Sequence, residues 1–202
     1  DFKYYPDVFK SDKFLAIKQN IIDFSFGSKY IFHLHPNSLS NIISSEMELQ
    51  EHNLDRTYDF SSIVIKYSKT LEQEIYLFMK TLLKFLIEKN QRIENVSYSV
   101  QSKNYTIKDI FTNKPNFGTY KFILKEDIVK TVMESNLDKV LLFFIQKKLV
   151  AYINFIQEIR NETVHGRPAT LNEANSVRAK ILGVAQESVL IELVKNKKMI
   201  TK

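Results

Sequence analysis

Apolar residues recur at intervals of three and four along most of this chain, and the recurrence marks where its helices run. The longest stretch, 58–90, contains no Gly or Pro. Ile63, Tyr67, Thr70, Leu71, Glu74, Ile75, Phe78, Leu82, Phe85 and Leu86 fall on one face of a single scaffold helix. Glu72 and Glu74 lie early on it, placed either to reach cations elsewhere or simply to be solvated. A second long helix is predicted over 137–163, with SNLD at 135–138 as its start signal. Its first half, VLLFFI at 140–145, is apolar on all sides and predicts a position in the middle of a bundle. In its second half Leu149, Tyr152, Ile153, Ile156 and Ile159 keep an apolar stripe, while Asn154, Glu158, Asn161 and His165 form a separate polar line.

The flanking segments are shorter. Phe14, Ile17, Ile21, Ile22 and Phe24 predict a first helix, and SKYIFHLHP reads as a short strand or an extended linker ending at Pro36. Asn37 or Ser38 is the expected N-cap of a helix through Leu39, Ile42, Ile43, Met47 and Leu49. Over 92–118 the alternation Val96, Tyr98, Val100, followed by Asn104, Pro115, Asn116 and Gly118, predicts a loop with a short strand or hairpin. A helix returns over 119–134. Thr170 with Glu173 three residues on is a capping-box pattern, opening a helix through Leu171, Ala174, Val177, Ile181 and Leu182. The tail ESVLIELVKNKKMITK continues helically and ends basic. The expectation is an all-α fold with two long core helices, divided into an N-terminal extension, 1–56, and a helical domain, 57–202.

Composition narrows the function. The 202 residues include no Cys, which excludes disulfides, thiolate metal sites and Cys nucleophiles and suits a reducing, cytoplasmic setting. Lys and Arg exceed Asp and Glu by 29 − 23 = 6, which favours a polyanionic partner such as RNA. No uninterrupted apolar run approaches the ~18 residues a membrane span needs, so no membrane partner is expected. The opening DFKYYPDVFK lacks the layout of a secretion signal. The chain begins at Asp1 rather than Met, as a processed chain or a piece of a longer one would.

The densest chemistry lies at 160–165. Arg160, Asn161 and His165 close the second long helix, and Gly166 and Pro168 stop it. Asn161 and His165 are four apart and project to the same side, with Arg160 rotated by about 100°. At a helix C-terminus the macrodipole favours the imidazolium of His165. An imidazole and a guanidinium are the minimal equipment for metal-free RNA cleavage: His moves protons, Arg stabilises phosphorane charge, and the 2′-OH attacks. A base and an acid are both needed, so two copies meeting across a twofold axis would complete the site.

This arrangement, Arg160 and Asn161 followed after three residues by His165 at the end of a long helix, resembles the HEPN superfamily motif. YSKTLEQEI at 67–75, FGTYKFIL at 117–124 and VHGRPATLNEANSVRAKILGV at 164–184 are similar to other segments of that family, so the resemblance spans roughly 58–190. It implies a HEPN-like bundle that dimerises and cleaves RNA without metal, in a toxin–antitoxin or antiphage defence system. Arg160 would stabilise the phosphate, Asn161 would orient it or the imidazole, and His165 would be the acid or base. It also implies an alternative, since some members are non-catalytic modules that dimerise or dock a sensor, ATPase or antitoxin. Arg160 as an ion-pair partner of Glu72 or Glu74 is the rival reading of that residue.

Lys147, Lys148, Arg167, Arg178 and Lys180 surround the corner in sequence and are candidates to guide an RNA backbone. A basic nucleic-acid-binding domain without chemistry is the third reading. His33 and His35 have the spacing of some metal sites but no third ligand nearby in sequence, so no metal or cofactor is expected. No Gly-rich phosphate loop and no Ser-nucleophile signature appear.

Overall fold

The computed structural model describes residues 11–100, 102–165 and 167–201, and of 161–165 the backbone only. These residues are mostly helical. They group into two compact units, the first containing the described residues up to Glu74 with Ile159–Val194, the second Ile75–Glu158 with the residues from Lys195 on.

In the first unit, α1 (Asp12–Ile21) starts where the Ser11 side chain accepts the Phe14 N–H at 3.2 Å, and buries Phe14, Ile17 and Ile21. A π-helical turn, Ile22–Phe26, ends at Gly27, whose φ of 69° suits glycine. The short helix α2 (Ser28–Ile31) follows, so SKYIFHLHP is neither strand nor extended linker. Helix α3 (Pro36–His52) is capped not by Asn37 or Ser38 but by His35, whose Nδ1 accepts the Asn37 N–H at 3.2 Å. Pro36 fits the first helical position because its φ is preset and its missing N–H would be unpaired there anyway. Glu74, buried on α4 (Ser61–Lys89), accepts the His35 N–H at 2.8 Å.

The core of this unit combines Ile42 and Ile43 of α3 with Ile63, Val64, Tyr67 and Leu71 of α4, all essentially inaccessible. Full burial of each such side chain contributes about 1.5–3 kcal/mol.

The second unit begins with the remainder of α4, where Ile75, Phe78, Met79, Leu82, Leu83 and Leu86 continue the buried stripe. A 3-10 turn, Gln91–Asn95, leads into β1 (Ser97–Val100) and β2 (Lys103–Thr106), an antiparallel hairpin with Tyr98 opposite Tyr105. Ser102 in the connection takes a φ of 65°. A second 3-10 turn, Ile107–Phe111, is closed by a capping box between Thr106 and Asp109. The helix expected over 119–134 is two helices, α5 (Thr119–Ile123) and α6 (Asp127–Asn136).

Next comes one uninterrupted helical run, 139–165, made of α7 (Lys139–Phe143), a π-helical stretch Phe144–Leu149, and α8 (Val150–His165). Asp138 caps it by accepting the Leu141 N–H at 2.8 Å. The segment 140–145 is not buried all round. Leu141, Phe144 and Ile145 face inward at helical spacing, whereas Val140 is 68% and Phe143 58% exposed. By length and composition Lys139–Arg160 is apolar enough to cross a membrane, although polar residues interrupt the run in sequence; core helices of soluble folds meet the same measure.

Helices α9 (Leu171–Leu182) and α10 (Val189–Ile200) are the last elements among the described residues. They are separate because Gly183 takes a φ of 81° and Ala185 one of 59°, which turn the backbone out of the helix.

Candidate functional site

Arg160 lies near the C-terminal end of α8, and its Nη1 forms an ion pair with Glu72 Oε1 of α4. The guanidinium side chain is 48% exposed and the glutamate 12%, so the carboxylate is the sheltered half and the cation reaches solvent. Glu72 and Glu74 therefore have different jobs, the first holding Arg160 and the second holding the backbone at His35. The backbone of Asn161 and His165 continues α8, and their side chains lie outside the described residues.

The chain beyond the corner is pinned to the start of α4. Ala169 N–H donates to Asp59 Oδ1 at 3.1 Å and to Ser61 Oγ at 3.0 Å, and its carbonyl accepts the Phe60 N–H at 3.0 Å. The Ser61 hydroxyl and N–H, with the Ala169 N–H, hold the Asp59 carboxyl below its usual range. Ala169 itself is buried.

Arg167 and Thr170 share one acceptor. Arg167 donates to Glu173 Oε2 at 3.0 Å from Nη1 and to Oε1 at 2.6 Å from Nη2. Thr170 donates to Oε2 from both its N–H and its hydroxyl at 2.8 Å, and its hydroxyl accepts the Glu173 N–H at 3.3 Å. The Arg167 guanidinium, followed by the Thr170 N–H, pulls the Glu173 carboxyl down to about 2. The capping box read at Thr170 thus carries an arginine clamp.

Arg178 faces a different partner. Its Nε and Nη2 donate to the two oxygens of Glu46 at 2.7 and 2.8 Å, and Tyr67 donates its hydroxyl to Glu46 Oε1 as well. Glu46 and Tyr67 are buried. The carboxylate raises the Arg178 pKa further, and burial followed by the Glu46 charge pushes Tyr67 well above the usual phenol. With the Nε–Nη2 edge of its guanidinium bound to both oxygens of Glu46, Arg178 ties α9 to α3. Lys180 is half-buried, and Lys147 and Lys148 are exposed on the π-helical stretch in the second unit.

A cleft of about 510 Å³ opens beside the corner, lined among others by Asp55, Arg56, Tyr58, Pro168 and Asn172. The His52 ring stacks on Tyr58 at 3.8 Å. Tyr58 donates to Glu48 at 2.8 Å, an interaction that raises its hydroxyl to about 12. No cluster of three or more His, Asp or Glu side chains suited to a metal ion occurs among the described residues, and His35 is occupied as a helix cap.

Sequence reasoning missed the Glu46–Arg178–Tyr67 network, because its members lie on three helices and no local spacing relates them. Compared with family models, curated proteins and solved structures, the chain matches none.

Proposed function

We propose that the chain is a cytoplasmic, metal-independent endoribonuclease of HEPN type, acting as a homodimer in a toxin–antitoxin or antiphage defence system. The observation that carries the reading is the state of Arg160, a solvent-reaching guanidinium held by Glu72 on the helix that runs on to His165. Glu72 engages Nη1, which leaves other guanidinium donors for a phosphate oxygen.

In this reading an RNA 2′-OH attacks the adjacent phosphorus after losing its proton to one imidazole. Arg160 stabilises the charge that builds on the equatorial oxygens, and a second imidazolium protonates the departing 5′-oxygen. The products are a 2′,3′-cyclic phosphate and a 5′-hydroxyl. One His165 cannot serve as base and acid in the same step, so the second comes from a partner subunit. Asn161 orients the phosphate or the imidazole.

The test is RNA cleavage by purified His165→Ala and Arg160→Ala. The His variant is expected to lose about 10²–10⁴-fold in rate with unchanged helical circular dichroism. Cleavage at the parent rate in both variants contradicts the proposal.

The same ion pair favours a second reading. If Glu72 serves to neutralise Arg160, the corner belongs to a non-catalytic helical module that dimerises or docks a sensor, ATPase or antitoxin. His165→Ala then changes assembly or partner capture and leaves added RNA intact.

A further inference from the structure

Three surface clefts among the described residues differ in charge. The cleft beside the corner carries Asp55 as well as Arg56. A smaller one along α1, about 270 Å³, carries Glu46 and Arg178, which neutralise each other. The cleft between the β1–β2 hairpin and residues 113–116, about 440 Å³, is lined by Tyr98, Tyr105, Lys103, Lys114, Asn113 and Asn116, with no acid among its described lining residues. Its volume falls in the range of small-ligand sites, about 300–1,000 Å³.

The hairpin sets its geometry. Tyr98 and Tyr105 are paired directly across the two strands, their ring centroids 5.8 Å apart and their planes inclined by 22°. Strand alternation puts Val100 on the face of Tyr98 and leaves Ser97 and Ser99 on the opposite one. Both tyrosines are half-buried, so part of their aromatic surface remains open beside the stacked pair. Lys103 is exposed at the hairpin end, and the Lys114 ammonium stands over the Tyr76 ring, 5.8 Å from its centroid. Asp109, whose charge contributes after burial to raising the Tyr98 hydroxyl, is itself bound by the Thr106 N–H at 2.7 Å and hydroxyl at 3.0 Å.

Aromatic faces, ammonium groups and side-chain amides in one concavity match the three parts of a nucleotide. Rings stack on a base, lysines take flanking phosphates, and Asn113 and Asn116 offer donors and acceptors to a base edge. Bases inside a duplex are stacked on each other and withheld from such a surface, so the complementary ligand is single-stranded. We propose that this cleft binds single-stranded RNA, with a base stacked against the Tyr98–Tyr105 pair and its phosphates on Lys103 and Lys114. The proposal rests on the reading above only in taking RNA as the partner.

The experiment is fluorescence polarisation of a labelled oligoadenylate RNA on the full chain carrying His165→Ala, so that the probe stays intact. Tyr98→Ala and Tyr105→Ala are each expected to weaken binding about tenfold. Tyr98→Phe and Tyr105→Phe, which keep the ring, are expected to bind as the parent does. Lys103→Gln is expected to flatten the slope of log K against log salt by about 0.7. Equal binding by the alanine variants, an equal loss in the phenylalanine variants, or equal competition by a duplex of the same length overturns the proposal. Cleavage by the unsubstituted chain with tyrosine-independent binding would sink the cleft and leave the nuclease. Tyrosine-dependent binding without cleavage would do the reverse.

Discussion

Arg178 of α9 grips Glu46 of α3 along one edge of its guanidinium, Nε to Oε1 at 2.7 Å and Nη2 to Oε2 at 2.8 Å, and Tyr67 of α4 donates to the same carboxylate. Three helices of the first unit thus meet at one nearly inaccessible acid. Arg178→Ala leaves that acid buried without its cation and is expected to lower stability by about 2 kcal/mol, discounted from the ~3–5 kcal/mol of a deeply buried pair for the partial exposure of Arg178. Urea denaturation measures it. The double variant Glu46→Leu with Arg178→Met is expected to recover much of the loss, because an apolar pair has no charge to strand. If Arg178→Ala instead weakens RNA binding at unchanged stability, the arginine serves RNA rather than the fold.

Glu72 offers the sharpest separation between the two readings of the corner. Glu72→Gln removes the charge that holds Arg160 while keeping an amide of the same shape. For a surface-reaching pair the stability change is expected to stay below about 1 kcal/mol. If Arg160 works on a phosphate, its loosened position is expected to lower RNA cleavage about tenfold or more. Unchanged cleavage alongside lost thermal stability would make the pair purely architectural.

Glu173 makes the corner acid-sensitive. Its carboxyl is held near 2 in the folded chain against 4.5 for the free group. The depressed value means the folded state binds fewer protons, so the stabilisation is fully present above about pH 4.5 and fades as pH falls toward 2. Glu173→Gln is expected to flatten the acid limb of the stability profile over that window, as read by urea midpoints. An unchanged acid limb would show that the Arg167 clamp contributes nothing to folding.

Two glycines are expected to respond differently. At Gly183 the backbone is left-handed, and an added Cβ would sit 2.7 Å from Ser188 N and 2.9 Å from Gln186 O. Gly183→Ala is expected to cost roughly 2 kcal/mol, since strain and a backbone clash add. At Gly118 the Cβ meets only the end of the Gln157 side chain, at 2.6 Å, which can swing away. Gly118→Ala is expected to be nearly neutral. Equal denaturation midpoints for the two variants would contradict this.

Much of the helical plan was legible because burial follows a three- and four-residue period that a single sequence displays, as in Ile63, Tyr67, Leu71, Ile75, Phe78 and Leu82. The capping box at Thr170 and the hairpin within 92–118 were legible for the same reason, being local. The cap at His35 was not, because Pro36 moves the helix start one residue ahead of the better-known cap types. Nor was the exposure of Val140 and Phe143: an all-apolar segment does not reveal which of its faces finds neighbours. Of the corner, the tie between Arg160 and Glu72 was foreseeable as one of two glutamates on a predicted helix. The partners of Arg178 and the pairing of Tyr98 with Tyr105 depend on which elements fold together, which spacing along one chain does not encode.

The central claim is that this chain cuts RNA by 2′-OH attack without a metal ion. Incubating the purified protein with RNA in excess EDTA and analysing the new ends tests it most directly. The account predicts fragments ending in 2′,3′-cyclic phosphate, formed at an undiminished rate by the parent chain and lost in His165→Ala. Intact RNA, or cleavage that returns only when a divalent metal is added back, would contradict it.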